Sequence, residues 1–252
     1  MNLPDCNSTR DEARRAQAMN ILTGKDITSD YPKAITQAGM GGKFTPDGKV
    51  ISFPGNTFLC HIDPTSEFYE ALCTVQDKLR EHPKADHFTF LPRSSFHMTI
   101  FCGVSGAPLG SDGWPEGFPL DSSLDKITTA YDARLTGIDI PSEFSVLPEN
   151  LFLPTSVSMR AATPQDETRL RDLRAKLEQL TGLYRGDVKS YVFHVSMAYV
   201  VKWLGERMAA DTLKECESLF EEHLARCGPI RFNAIEFCSF NNMHKFHNIR
   251  SF

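Results

Sequence analysis

The chain carries one five-residue pattern twice. Phe96-His97-Met98-Thr99-Ile100 and Phe193-His194-Val195-Ser196-Met197 both read apolar, His, apolar, hydroxyl, apolar, with the two histidines 97 positions apart. Each lies in a run of strand character, and alternate residues of a strand share a face. His97 therefore projects beside Thr99, and His194 beside Ser196, while the residues between them point the other way. One such triplet is commonplace in a strand. Two, in similar surroundings, point to a duplicated unit that brings two imidazole–hydroxyl pairs together, and duplication constrains the fold more than any other feature of the chain.

The flanking segments repeat in the same order. Thr57–Ile62 reads as a strand, and Pro64–Arg80 as an amphipathic helix with Phe68, Leu72, Val75 and Leu79 at helical spacing, capped by Asp63 or Thr65. A short strand (His87–Leu91), the motif strand (Phe96–Val104), a Gly/Pro-rich loop, a helix near Ser122–Leu135 and a strand near Phe144–Leu147 follow. The second round runs from a strand at Val157–Ala161 to a helix at Pro164–Leu180, with Pro164 in its first turn. The motif strand Tyr191–Val200, a helix at Glu206–Arg226 and a strand at Ile230–Phe240 complete it. The motif histidine falls 40 residues after Thr57 and 37 after Val157. The expected fold is therefore α+β. A β-α-β(HxT/S)-α-β unit is used twice about a pseudo-twofold axis, with a central cleft between two antiparallel sheets and the helices outside. Residues 55–252 would form this bilobal domain, with lobes at about 55–150 and 151–252. Residues 1–54 form an extension: a polar helix near Arg10–Leu22, then a hairpin of Lys43–Thr45 and Val50–Phe53 around Pro46-Asp47-Gly48. Gly41-Gly42 lacks the spacing of a phosphate loop and reads as an entry to that hairpin.

Charge and cysteine content narrow the function. A net charge of −5 over 252 residues argues against gripping long nucleic acid through many phosphates, while leaving room for a small phosphorylated ligand held by a few local cations. Seven cysteines without CxxC spacing fit neither a disulfide framework nor a structural zinc site. The polar start of the chain and the lack of a long apolar run lead to the expectation of a cytoplasmic protein with no membrane contact, acting as a monomer. Cys102 would face away from His97 in a regular strand and is set aside as a nucleophile.

Two imidazoles facing across a cleft suit acid–base chemistry at phosphorus. Histidine titrates near neutrality, so one ring can accept a proton while the other donates one. Hydroxyls at Thr99 and Ser196 can donate to non-bridging phosphate oxygens, where negative charge collects. None of these steps calls for a metal or another cofactor. Candidate accessory groups are Arg93 upstream of the first motif, Lys189 upstream of the second, Arg160 on the strand that opens the second unit, and His61 on the strand that opens the first. Arg185 is a further cation near the second motif, and Tyr191 is expected to face away from His194. His82, His87 and His223 read as surface or unpartnered. His244 and His247 have a helical metal spacing in a segment that is not helical, so no metal site is expected there.

The duplicated signature, His97-Met98-Thr99 and His194-Val195-Ser196, resembles that of the two-histidine (2H) phosphoesterase superfamily, which includes LigT-like and plant cyclic phosphodiesterases. The resemblance spans about residues 55–240. The segment GGKFTPDGKVISFPGNTFLCHI, Gly41–Ile62, further looks like a poorly characterised branch with a domain of unknown function. The resemblance implies His97 and His194 as the acid/base pair and Thr99 and Ser196 as phosphate binders. It also implies metal-independent attack on a 2',3'-cyclic or related phosphodiester of a small nucleotide or RNA end. Ser196 stands where many members have Thr. A non-catalytic nucleotide-binding module on the same fold is the alternative.

Overall fold

In the computed structural model, residues 6–25, 27, 29–35, 42–140 and 142–252 are described. The helix α1 (Cys6–Thr23) precedes β1 (Gly55–His61), α2 (Glu67–Glu81), β2 (Phe88–Phe90), β3 (His97–Ser105), α3 (Leu124–Leu135) and β4 (Phe144–Leu153). The second round is β5 (Ser156–Ala161), α4 (Pro164–Thr181), β6 (His194–Ser196), β7 (Ala198–Val200), α5 (Glu206–Leu219), β8 (Ile230–Phe232), β9 (Glu236–Asn242) and β10 (Lys245–Ser251). The fold is α+β with antiparallel sheets, and the two rounds follow the repeated order expected of them.

Local chemistry accounts for the helix boundaries. Asp63 turns its carboxylate onto the Thr65 N–H and hydroxyl, forming a turn ahead of α2, so the cap is Ser66, whose hydroxyl accepts from Tyr69 N–H. That displaces the expected caps Asp63 and Thr65 and starts the helix at Glu67. The helix α4 opens with Thr163 as cap and Pro164 in its first turn, and stops at Gly182, whose φ of 68° lies in the left-handed region that favours glycine.

Eight strands form one sheet in the order β10-β9-β1-β3-β6-β5-β4-β8, and β2 pairs with β7 in a small second sheet. The two half-sheets are thus hydrogen-bonded into one, joined along β3 and β6 at the pair Met98↔Val195. Across that seam β1 corresponds to β5, and β9 to β4. The strand β4 follows α3 in the first unit and β9 follows α5 and β8 in the second, and each pairs in the opposite half: β4 with β5, β9 with β1. The two units thus exchange β4 and β9, which ties the halves together.

One face of the sheet carries the main core. Phe58, Cys60 and Ile62, together with Met98, Val157, Met159 and Val195, pack against Leu72, Val75 and Leu79 of α2 and Leu170, Leu173 and Leu177 of α4. Burying each large aliphatic side chain contributes about 1.5–3 kcal/mol. Beyond this core, Ala18 and Leu22 of α1 pack with Phe88, Val200 and α5 residues Ala209 and Leu213. The hairpin turns at Gly48 (φ 79°) and pairs Phe44 with Val50. Phe44 and Phe53 pack on Leu91, Val201, Phe240 and Met243. Gly41 of the expected entry, and the side chain of Phe152, lie outside the described residues. No described helix is long and apolar enough to cross a membrane.

Candidate functional site

The seam between β3 and β6 is where the duplicated motifs meet. Met98 and Val195 are fully buried on the helix side, while His97, Thr99, His194 and Ser196 are half-buried on the other face. Continuing the antiparallel register one residue each way from Met98↔Val195 sets His97 across from Ser196 and Thr99 across from His194. The two histidines are then diagonal neighbours, a relationship that separates backbones by roughly 7–8 Å. Two imidazoles at that spacing can reach one phosphate from both sides.

Both rings are held in the same way. His97 Nδ1 lies 2.7 Å from the Ser95 carbonyl, and His194 Nδ1 lies 2.9 Å from the Val192 carbonyl. A carbonyl oxygen only accepts, so each Nδ1 carries the hydrogen and each Nε2 is left with its lone pair. In both copies the tether reaches back two residues. Burial pushes His97 down to about 4, with the neighbouring His61 and His194 adding to the depression and the Ser95 carbonyl opposing it. Burial also lowers His194, aided by the charge of Lys43. Without a ligand, both rings are held toward the neutral form.

The surroundings differ between the two histidines. His97 has Phe246 edge-on at 4.3 Å between ring centroids, and His61 at 6.1 Å. His61 is its register partner on β1, and His61 Nδ1 is 2.9 Å from Glu236 Oε1. That hydrogen bond holds the Glu236 carboxyl below its ordinary value. On the other side Ser158 of β5 stands opposite His194, and Ser156 opposite Ser196. Tyr191 lies beside His194, with ring centroids 6.0 Å apart. Its expected outward orientation fails because residues 191–193 precede the strand, so strand alternation does not govern them.

The accessory candidates separate. His61 joins the site face next to His97. Arg93 turns toward α2, where its guanidinium meets Asp77 and the Gln76 carboxamide oxygen. Arg160 is exposed two residues beyond Ser158 and donates to the Ala161 carbonyl, and Lys189 is exposed ahead of β6. Arg185 donates to the carbonyls of Cys102, Gly103 and Asp112, fastening the loop after β3.

Lys43, by contrast, is a cation that the sequence offered no reason to select. Its ammonium lies 5.3 Å from the Phe53 ring centroid and 5.2 Å from that of Tyr199. The Tyr199 phenol raises its pKa, so it is charged at neutral pH, and its field reaches His194.

Cys102 requires a correction. In the β1–β3 ladder Leu59 pairs with Thr99 but Phe58 with Phe101, so Ile100 is an extra residue in β3. The bulge reverses the alternation beyond it: Ile100 and Phe101 are both buried, and Cys102 emerges exposed on the face of His97 and Thr99. Arg174, buried to 1% exposure, donates to the Ile100 carbonyl that the bulge frees and stacks on Tyr191 with 3.9 Å to the ring centroid. The Cys102 thiol is nonetheless pushed up by desolvation, against the pull of Arg185 and Lys43. A thiol held in its protonated form is a poor nucleophile.

An antiparallel sheet with two tethered imidazoles and two hydroxyls at its seam defines a class of site suited to acid–base chemistry on one anion. Residues 43–151 match the family model described as "2H-phosphodiest: Domain of unknown function (DUF1868)". Over that segment the chain is similar to this two-histidine phosphodiesterase family, whose function is undefined. Among solved structures, a conserved protein of unknown function from Agrobacterium tumefaciens str. C58 superposes with a TM-score of 0.75 at 24% identity, covering 92% of this chain and 97% of that one. More distant likenesses are a phosphoesterase (TM-score 0.44, 8% identity, 79% of this chain and 97% of that one) and E. coli LigT complexed with phosphate (TM-score 0.43, 8% identity, 80% and 98%). No protein of curated function matches the chain.

Proposed function

We propose that the protein is a metal-independent phosphodiesterase acting on a 2',3'-cyclic or related phosphodiester of a small nucleotide or RNA end, with His97 and His194 as the acid/base pair. The observation that carries this reading is the matched tether: each ring gives its Nδ1–H to the carbonyl two residues back and keeps Nε2 available on the same face. One neutral Nε2 takes a proton from the attacking water. The other, once protonated, gives its proton to the departing sugar oxygen on the far side of phosphorus.

The hydroxyls of Thr99 and Ser196 are assigned to the non-bridging oxygens, where two donors stabilise the charge that builds as water adds. Lys43 is assigned to neutralise the bound anion at longer range. Both imidazoles start with depressed pKa values, and the negative charge of a bound phosphate raises them, so substrate itself favours protonation of the acid. His61 with Glu236 is assigned to position His97 and tune its basicity.

The test is turnover of 2',3'-cyclic nucleotides with EDTA present. The wild type is expected to remain active, and His97→Ala and His194→Ala each to lose about a hundredfold to ten-thousandfold in kcat, the range of a positioned proton transfer. Activity abolished by EDTA, or full activity in both variants, rejects the mechanism. Nucleotide binding without turnover across a panel of cyclic phosphates would leave the binding-module reading instead.

A further inference from the structure

Immediately beside His194 is a pocket of about 370 Å³ whose outer wall is α1. Arg14, Gln17 and Ile21 line it from α1, facing Asn150 of β4, Ser158 of β5 and Val192. The wall is fixed in place: Ala18 and Leu22 of the same helix are buried against α5 and the small sheet. None of α1 falls within the family-matched segment, so this wall is an addition outside that match.

The chemistry of the lining selects its occupant. Arg14 is the lining cation, and it is neutralised by Glu149 at 3.1 Å, so the pocket offers no unbalanced charge to a second phosphate. What remains is two carboxamides, each both donor and acceptor, serine hydroxyls, and apolar surface from Ile21, Leu153 and Val192. A neutral heterocycle on a sugar presents the matching mixture of flat apolar faces and hydrogen-bonding edges. The volume lies in the range of about 300–1,000 Å³ typical of small-molecule sites.

We infer that this pocket is a nucleoside subsite, which orients the phosphodiester so that its departing sugar oxygen lies at His194. The inference rests on the phosphodiesterase reading and assigns roles within it. In-line displacement puts water opposite the departing oxygen, hence on the His97 side. His97 Nε2 takes the water proton as the new O–P bond forms. The sugar O–P bond breaks, its electron pair stays on the sugar oxygen, and that oxygen takes the proton from His194 Nε2. The ring with the pKa near 4 becomes the base, which has to be neutral when water attacks.

The test compares the binding of adenosine 2'-monophosphate and inorganic phosphate to the full chain by calorimetry, in wild type, Gln17→Ala and Ile21→Trp. Both positions are exposed, Ile21 to 38%, so the fold tolerates the changes, and thermal melting checks this. The wild type is expected to bind the nucleotide at least about tenfold more tightly than phosphate. Filling the pocket with Trp should erase most of that advantage while phosphate affinity stays within about twofold, and Gln17→Ala should erase part of it. A nucleotide preference that survives both variants overturns the subsite and leaves the two-histidine mechanism standing. Equal weakening of both ligands in folded variants overturns it too. Failure of the wild type to bind either ligand overturns the phosphodiesterase reading itself.

Discussion

Two identical tethers make the case at the scale of single residues. A histidine whose Nδ1–H is committed to a carbonyl cannot rotate freely, and its Nε2 is aimed before any ligand arrives. Lys43 then distinguishes the two rings, because its charge opposes protonation of His194 while His61 opposes that of His97. Removing a nearby positive charge favours the charged imidazole, so Lys43→Met is expected to raise the His194 pKa, read from its imidazole resonances in an NMR pH titration. The same substitution should weaken phosphate binding. A His194 pKa that falls or stays put would show that Lys43 does not face the site. Little of this was readable in advance. The His/hydroxyl pairs follow from strand alternation alone, whereas Lys43 sits in a hairpin far upstream, and only tertiary packing on Phe53 and Tyr199 brings it in.

Secondary-structure elements were legible to the extent that their signals are periodic. The helices α2, α3 and α4 follow their apolar spacing closely. The strand expected over Tyr191–Val200 is instead two short pieces, because at Met197 the backbone turns its N–H to Thr155 and its carbonyl to Leu91 N–H and the Gln76 carboxamide. Both β10, with mostly exposed polar residues, and the Ile100 bulge escaped a reading by alternation. In the bulge two consecutive apolar residues, Ile100 and Phe101, look the same as a buried strand. Arg174 supports this bulge, giving hydrogen bonds to the Ile100 carbonyl and to Asp187. Arg174→Met keeps the volume but leaves that carbonyl without its partner, which should cost about 2 kcal/mol. Urea denaturation measures this: a lowered midpoint is expected, and an unchanged one would mean the bulge needs no such donor.

For the whole molecule, the duplication was visible and the way its copies interlock was not. Element order within each unit is a local property of the sequence, whereas the exchange of β4 and β9 between halves is a non-local pairing with no local signal. That exchange gives the seam its geometry: each motif strand is flanked by its own unit's first strand, and the two meet at Met98 and Val195. The central claim is that one phosphate is shared by both imidazoles across this seam. NMR titration of the His97 and His194 side chains with inorganic phosphate tests it directly. Both rings are predicted to respond with one common dissociation constant at one phosphate per chain, and both pKa values to rise, His97 from about 4. Response of only one ring, or of the two at separate phosphate concentrations, would contradict a shared site.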